Sequence, residues 1–240
     1  MPIQIYSFFS GVGFLDLGFQ NAGFDIAFVD EYDERFLRAY QYARRNDPHV
    51  PRYGYSHLDV RSFLSDDVWN KIFPDYRQQD DTFIGFIGGP PCPDFSIAGV
   101  LQENHIDVEI LDASAEDMDF KDVEKELLKR KPDFFLLENV KGLYKTKKHR
   151  EFYDSIKRKL RRSGYHLFDS VENALEYGVP QFRERLFLVG FSTKAFGKKV
   201  KCNLSSHKSS NLQTVMQAPW PTTSPFKIDS EVNCPIGIPT

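Results

Sequence analysis

The sequence predicts an α/β fold, a mostly parallel sheet with helices on both faces, and three observations predict it. Short apolar runs alternate with helical patterns along the first 191 residues. The runs are apolar enough to be buried on both sides, as strands of a covered parallel sheet are. The chemically distinctive residues follow directly after those runs, where ligands bind in open sheets of this kind.

Strands are expected at Ile3 to Phe9, Ile26 to Val29, Phe83 to Ile87, Phe134 to Leu137, His166 to Val171 and Leu186 to Phe191. Helices are expected at Leu15 to Asn21, Glu34 to Arg45, Lys121 to Arg130 and Arg150 to Ser163, the last stopped by Gly164. From about Ser192 the pattern fades into Ser, Lys, Asn, Pro and Thr, so residues 1–191 read as one domain and 192–240 as an irregular tail. The acidic segment from Asn104 to Asp119 reads as a loop beside the site.

A chain of 240 residues with 41% hydrophobic content buries one sizeable core. It carries no run of eighteen apolar residues and no signal-peptide pattern, which excludes a membrane span and points to a soluble, cytoplasmic or otherwise intracellular protein. Cys92, Cys202 and Cys234 are odd in number and widely spaced, offering neither a disulfide framework nor a CxxC metal pair; no metal is expected. The net charge is -3, yet about 21 of the 31 Lys and Arg fall between Lys121 and Lys201, against about 11 acidic residues. That segregation suits a face meeting phosphate, and equally suits solvated helices.

The first strand runs into Phe9-Ser10-Gly11-Val12-Gly13, where glycines allow a tight turn and bring backbone N–H groups close to a ligand; a purely structural turn is the alternative. A dinucleotide fingerprint would place a third glycine at position 16, where Asp16 stands, so hydride transfer is disfavoured. The second strand ends in Asp30-Glu31-Tyr32-Asp33, with an acid placed to accept from ribose hydroxyls and Tyr32 placed to stack on a purine. Asp59, followed by Val60, offers a further acceptor for an adenine amino group. Taken singly, each of these acids fits a surface or helix-capping role as well.

Gly88-Gly89-Pro90-Pro91-Cys92-Pro93-Asp94-Phe95-Ser96 is sharper. Two glycines and three prolines around one cysteine make a rigid strand-end loop, where a thiol acts as a nucleophile if nearby cations lower its pKa. Glu138-Asn139-Val140 follows the Phe134 to Leu137 run, and burial of Glu138 there would raise its pKa and suit it to proton donation. Ahead of the last strand, Gln181-Phe182-Arg183-Glu184-Arg185 puts Gln181, Arg183 and Arg185 on one face of an extended segment, a fork of cations for a phosphate, a base carbonyl or a thiolate.

Taken in order, FSGVGFLDLGFQNAGF, GGPPCPDFS, LLENVKGL and YGVPQFRERLFLVG resemble the cofactor loop, nucleophile loop, glutamate motif and arginine motif of the DNA cytosine-5 methyltransferase family. The resemblance covers roughly residues 3 to 191. It implies a Rossmann-like S-adenosylmethionine-dependent methyltransferase fold and transfer of a methyl group to C5 of cytosine in double-stranded DNA. Phe9, Ser10, Gly11, Val12, Gly13, Glu31, Tyr32, Asp59, Val60, Gly89 and Pro91 would then contact S-adenosylmethionine. Cys92 would add to C6 of a flipped-out base, Glu138 would protonate its N3 edge, Arg183 and Arg185 would support thiolate and base, and Asn139 would hold the loop. Ser96, Gln181 and Arg183 would face the nucleic acid.

Ser7, Phe14 and Pro93 depart from the family's usual Asp, Gly and Gln, and residues 104–120 lack its Arg-Gly-Thr-Leu type segment. WPTTSPF is similar to the stretch that precedes a target-recognition domain, and nothing after it resembles that domain. The expectation is a second polypeptide supplying target recognition and the C-terminal motifs, or a truncated chain. A tRNA cytosine-5 methyltransferase and a non-catalytic nucleic-acid-binding subunit of the same fold are the competing readings.

Overall fold

The computed structural model describes residues 3–77, 82–91, 118–145, 147–197 and 200. Cys92, Ser96, most of the acidic segment and nearly all of the tail lie outside the described residues. Seven strands form one sheet: β1 (Ile3–Phe8), β2 (Asp25–Asp30), β3 (Tyr55–Ser56), β4 (Phe83–Gly88), β5 (Phe134–Val140), β6 (Tyr165–Asn173) and β7 (Glu184–Ser192). Their spatial order is β3-β2-β1-β4-β5-β7-β6. The β1/β2, β1/β4, β2/β3 and β4/β5 pairs are parallel, and β5/β7 is antiparallel. The chain steps outward from β1 through β2 to β3, then returns to β1's other side as β4, so a crevice opens where β1 and β4 both end.

The helices are α1 (Phe14–Asn21), α2 (Glu34–Ala43), α3 (Asp66–Ile72), α4 (Met118–Arg130), α5 (Gly142–Lys145), α6 (Lys147–Arg162) and α7 (Thr193–Phe196), with 3-10 turns at Val60–Leu64 and Ala174–Tyr177. Among the described residues no helix is long and apolar enough to cross a membrane. The expected irregular stretch from Ser192 is corrected at its start: β7 runs to Ser192 and α7 follows. The two-residue β3 and the seven-residue α3 are too short to display a period, which is why no pattern announces them.

Strands alternate their side chains between two cores, as a period of two requires, except in β2, where a bulge at Ala27 sends Ile26 and Phe28 to opposite faces. Tyr6, Phe8, Phe28, Phe86 and Leu137 join Trp69 of α3, Leu127 of α4 and Tyr153, Ile156 and Leu160 of α6 on one face. Ile5, Ile26, Val29, Ile87 and Phe134 join Leu37 and Tyr40 of α2 on the other. The first core is largely aromatic, with Trp69 and Phe73 rings 4.4 Å apart and Phe28 and Phe73 rings 4.8 Å apart. Each such buried ring contributes roughly 1.5–3 kcal/mol, which holds the sheet rigid beneath the loops it carries.

Among the carboxyls buried in this frame, Asp30 and Glu126 set a pH dependence. Burial pushes both Asp30 and Glu126 up to about 7, although Asp30 accepts from Leu58 N at 3.2 Å and Glu126 from Arg130 Nε at 2.8 Å. For Glu126 the desolvation outweighs the ion pair because its Oε2 has no hydrogen-bond partner among the described residues. Both folded values exceed the unfolded ones. Their contribution to stability is therefore full below about pH 4 and lost as pH rises through about 7. Thermal unfolding is expected to shift to lower temperature between about pH 5 and about pH 8, and Glu126→Gln to flatten that slope. Parallel melting profiles for the two proteins over this range would contradict it.

Candidate active site

The crevice beyond β1 and β4 is walled first by the glycine turn. Phe9 and Gly11 adopt positive φ angles of 52° and 55°, and Gly13 reaches 85° as the residue preceding α1. Ser10 N donates to Asp30 O at 3.1 Å, tying the turn to the end of β2. Glu31 spans the same gap with its side chain: Oε2 accepts from Gly11 N at 2.7 Å and Oε1 from Asp33 N at 2.9 Å. Each oxygen keeps a second lone pair for a hydroxyl donor. Tyr32 is 67% exposed and Val12 37%, while the Ser10 hydroxyl is buried with no partner among the described residues.

Beneath the turn lies a network that sequence reasoning missed. Asp16 is fully buried and accepts from Ser7 Oγ at 2.7 Å and Tyr40 OH at 2.9 Å. Burial pushes its carboxyl up, against both hydrogen bonds. Arg44 adds a bond from Nη2 to Gly13 O at 2.7 Å. The available signal was an acid at position 16 in the apolar run FLDLGF, read there only as a missing glycine.

Asp59 is engaged within the chain. Its Oδ1 accepts from Arg61 N at 2.9 Å and Arg61 Nε at 2.8 Å, and the Arg61 guanidinium holds the carboxyl below its usual range. Asp59 thus caps the turn Val60–Leu64, the capping alternative for that acid, and Val60 is buried. Asp33 likewise caps α2, accepting from Arg35 N at 2.9 Å.

The second wall is the end of β4. A side-chain carbon at Gly88 would lie 2.6 Å from Phe8 O, so the two strand ends approach as closely as only glycine permits. Gly89 faces the carboxylate of Glu138: a Cβ there would sit 3.1 Å from Oε2. Asn139 Nδ2 donates to Pro90 O at 3.1 Å from a buried position, pinning the segment that leads to Cys92. Pro91 is exposed, and the next residue is Cys92 itself, outside the described residues.

Glu138 and Asn139 lie inside β5, not after it, which corrects the expected boundary. The parallel partner β4 stops pairing at Leu137, while antiparallel β7 continues past it, matching Glu138 to Phe187, Asn139 to Leu186 and Val140 to Arg185. Alternation then sends Asn139 into the aromatic core and Glu138 to the opposite face, beside Arg185. Glu138 is not sealed in apolar surroundings either: it is 27% exposed and pairs through Oε1 with Arg185 Nε at 2.8 Å. A carboxyl oriented by a guanidinium at the mouth of a crevice can hydrogen-bond a planar ring edge and pass a proton to it.

The chain divides into two compact units, Met1–Glu172 with Glu184–Ser205, and Asn173–Arg183 with Ser206–Thr240. Arg185 belongs to the first unit and Gln181 and Arg183 to the second. β7 begins at Glu184, so of the three only Arg185 lies in a strand. Among its described residues the second unit is a closed loop. Asn173 Oδ1 accepts from Leu175 N at 3.1 Å and Arg183 N at 3.2 Å, and Ala174 N donates to Arg183 O at 2.9 Å.

A hollow of about 700 Å³ lies at the opposite end of the strands, where β4 and β5 begin, lined by Phe83, Asp133, Tyr165, Arg77, Lys131 and Lys194. It holds none of the expected site residues. Much of the basic stretch is exposed on α4 and α6, and part of it is spent on Lys125–Asp122, Lys129–Asp66 and Lys159–Glu124 ion pairs. Among the described residues no group of three or more His, Cys, Asp and Glu could hold a metal ion.

Comparison with known proteins follows this geometry. The family model for C-5 cytosine-specific DNA methylases matches residues 3–224. The chain is 44% identical over 222 residues to the type II methyltransferase M.NmeDI of Neisseria meningitidis serogroup C, covering 91% of this chain and 50% of that protein. It is 35% identical over 189 residues to M.FnuDI of Fusobacterium nucleatum, covering 79% and 47%. Among solved structures, a DNA modification methyltransferase encoded within a prophage (E. coli) superposes with a TM-score of 0.59 at 26% identity, covering 83% of this chain and 49% of that one. The S. pombe Dnmt2 methyltransferase, at 16% identity and a TM-score of 0.56 over 84% of this chain and 51% of its own, shares the fold. The chain spans about half the length of the curated relatives it matches. With its sheet in the Rossmann-like methyltransferase arrangement, the chain belongs to the C-5 cytosine-specific DNA methylase family.

Proposed function

We propose that this chain carries the catalytic half-reactions of a DNA cytosine-5 methyltransferase, with Cys92 as nucleophile and Glu138 as the acid at the base. The observation that carries the reading is the pairing of Glu138 with Arg185 at 2.8 Å beside a β4 end that Asn139 pins at Pro90, two residues before Cys92. The relatives' type II methyltransferase names favour a modification enzyme working on DNA.

The crevice suits S-adenosylmethionine. The glycine turn stands at the end of β1, the Ser10 hydroxyl lacks a partner among the described residues, Glu31 keeps acceptor capacity at the end of β2, and Tyr32 offers an exposed ring. S-adenosylmethionine, when bound, supplies the methyl group as an electrophile. Glu31 and Tyr32 hold the nucleoside end, Val60 closes the apolar side, and Gly89 and Pro91 leave room at the crevice mouth. Asp59 serves this pocket by fixing the turn that carries Val60.

Cys92 adds to C6 of a cytosine turned out of the duplex, and Glu138 delivers a proton to N3, so electron density gathers at C5. Arg185 keeps the Glu138 carboxyl oriented toward the ring. After methylation a water molecule takes the C5 proton, the C5–C6 double bond re-forms and the C6–S bond breaks, releasing the Cys92 thiolate. We extend the reading to a second polypeptide that supplies target recognition, with Ser96, Gln181 and Arg183 on the nucleic-acid side.

Incubation with a duplex containing 5-fluorocytosine tests this, because fluorine at C5 blocks the expulsion step. The chain, with any polypeptide that co-purifies with it, is expected to form a denaturant-stable adduct that requires S-adenosylmethionine and disappears in Cys92→Ala. An adduct that survives this substitution, or one formed on tRNA and not on DNA, would overturn the assignment.

A further inference from the structure

We propose that Phe182 is a base-stacking residue, an aromatic platform that the closed loop Asn173–Arg183 presents to an unpaired base; this rests on the nucleic-acid reading above. Phe182 is 72% exposed, among the most exposed large apolar side chains described, and the same loop exposes Tyr177 at 38% and Val179 at 45%. Leaving that ring in water forgoes the roughly 1.5–3 kcal/mol its burial would yield, so a packing role within this loop does not account for it.

The loop is not a loose excursion. Asn173 Oδ1 clamps both of its ends, through Leu175 N and Arg183 N, and Gly178 ends the 3-10 turn with a φ of 85°. Gln181 N donates to Val179 O at 2.7 Å, bending the chain one residue before the phenyl ring. A ring presented on a clamped turn loses little conformational freedom on binding, which favours a contact surface.

Its neighbours choose the partner. Gln181 and Arg183 flank Phe182 directly, and Arg185 follows three residues along the chain. An exposed hydrogen-bonding amide, aromatic face and guanidinium in succession match a nucleotide, with a π face to stack on and a phosphate to neutralise. An apolar protein surface would leave the Arg183 charge to be desolvated without compensation. A base extruded for chemistry, or the partner base it leaves behind, provides such an unstacked face.

The test measures affinity for a short duplex carrying one unpaired cytosine, across a range of salt concentrations. Phe182→Ala is expected to weaken binding about 5- to 100-fold, the usual worth of one stacked base, with an unchanged dependence of log affinity on log salt. Arg183→Ala is expected instead to reduce that dependence by about one unit. Phe182→Trp is expected to retain affinity and to show indole quenching on binding, read against the wild-type emission of Trp69 and Trp220. Wild-type affinity in Phe182→Ala, or an unquenched indole in Phe182→Trp, overturns the inference. So does loss of a co-purifying polypeptide in Phe182→Ala with DNA affinity intact, which would assign the ring to protein docking. Absence of DNA binding by the wild-type protein would instead overturn the nucleic-acid reading on which the inference stands.

Discussion

Glu138→Gln is expected to slow methyl transfer by about 10²- to 10⁴-fold, the range over which a positioned acid or base usually contributes. The substitution keeps the shape of the side chain and an oxygen able to accept from Arg185 Nε, so the 2.8 Å contact that orients it need not be lost. What disappears is the proton. Formation of the C6 adduct leaves negative charge on the ring, and an amide can hydrogen-bond to N3 but cannot neutralise it. Pre-steady-state trapping on 5-fluorocytosine separates this from a packing defect. The adduct should form slowly and without loss of DNA affinity, whereas a distorted crevice would weaken binding as well. Turnover within twofold of wild type would remove Glu138 from the mechanism.

The same residue marks where sequence reasoning reached its limit. The apolar run Phe134 to Leu137 located β5, and the acid that follows it located the chemistry, since alternation and composition are local properties. Local patterns do not reveal that β7 pairs antiparallel with β5. That long-range pairing carries β5 three residues past its contact with β4, and sends Glu138 and Asn139 to opposite faces of the sheet. The expected burial of Glu138 failed for the same reason, because its surroundings are set by Arg185, 47 positions away in the chain. Acids gave a parallel lesson. Asp30, Glu31, Asp33 and Asp59 were alike in sequence as ligand or cap, and only tertiary contacts separated them: Asp33 and Asp59 cap, Glu31 ties the glycine turn to β2, and Asp30 is buried. The glycine turn itself was legible because positive φ leaves a compositional trace at Gly11 and Gly13.

That trace makes Gly13→Ala the second large effect. A methyl group there would fall 2.3 Å and 2.5 Å from Tyr40 ring carbons and 2.6 Å from an Arg44 guanidinium nitrogen, on a backbone whose φ of 85° already disfavours any side chain. The left-handed conformation alone costs on the order of 1–2 kcal/mol, and the overlap is too severe to be relieved without moving the Tyr40 ring. Tyr40 is fully packed, and its hydroxyl donates to buried Asp16 at 2.9 Å, so displacing the ring also threatens one of the two hydrogen bonds that carboxyl accepts from side chains. Destabilisation of about 3–5 kcal/mol is expected in urea unfolding, from strain, overpacking and a weakened buried contact acting together. Because the same turn carries the Ser10 hydroxyl and, through Gly11 N, positions Glu31, S-adenosylmethionine binding measured by calorimetry should weaken even where the protein remains folded. A double variant, Gly13→Ala with Tyr40→Phe, separates the two causes. If the hydroxyl contact matters, the pair will cost less than the sum of the single changes; strict additivity would leave backbone strain and overlap with the ring, without the hydroxyl contact, as the causes.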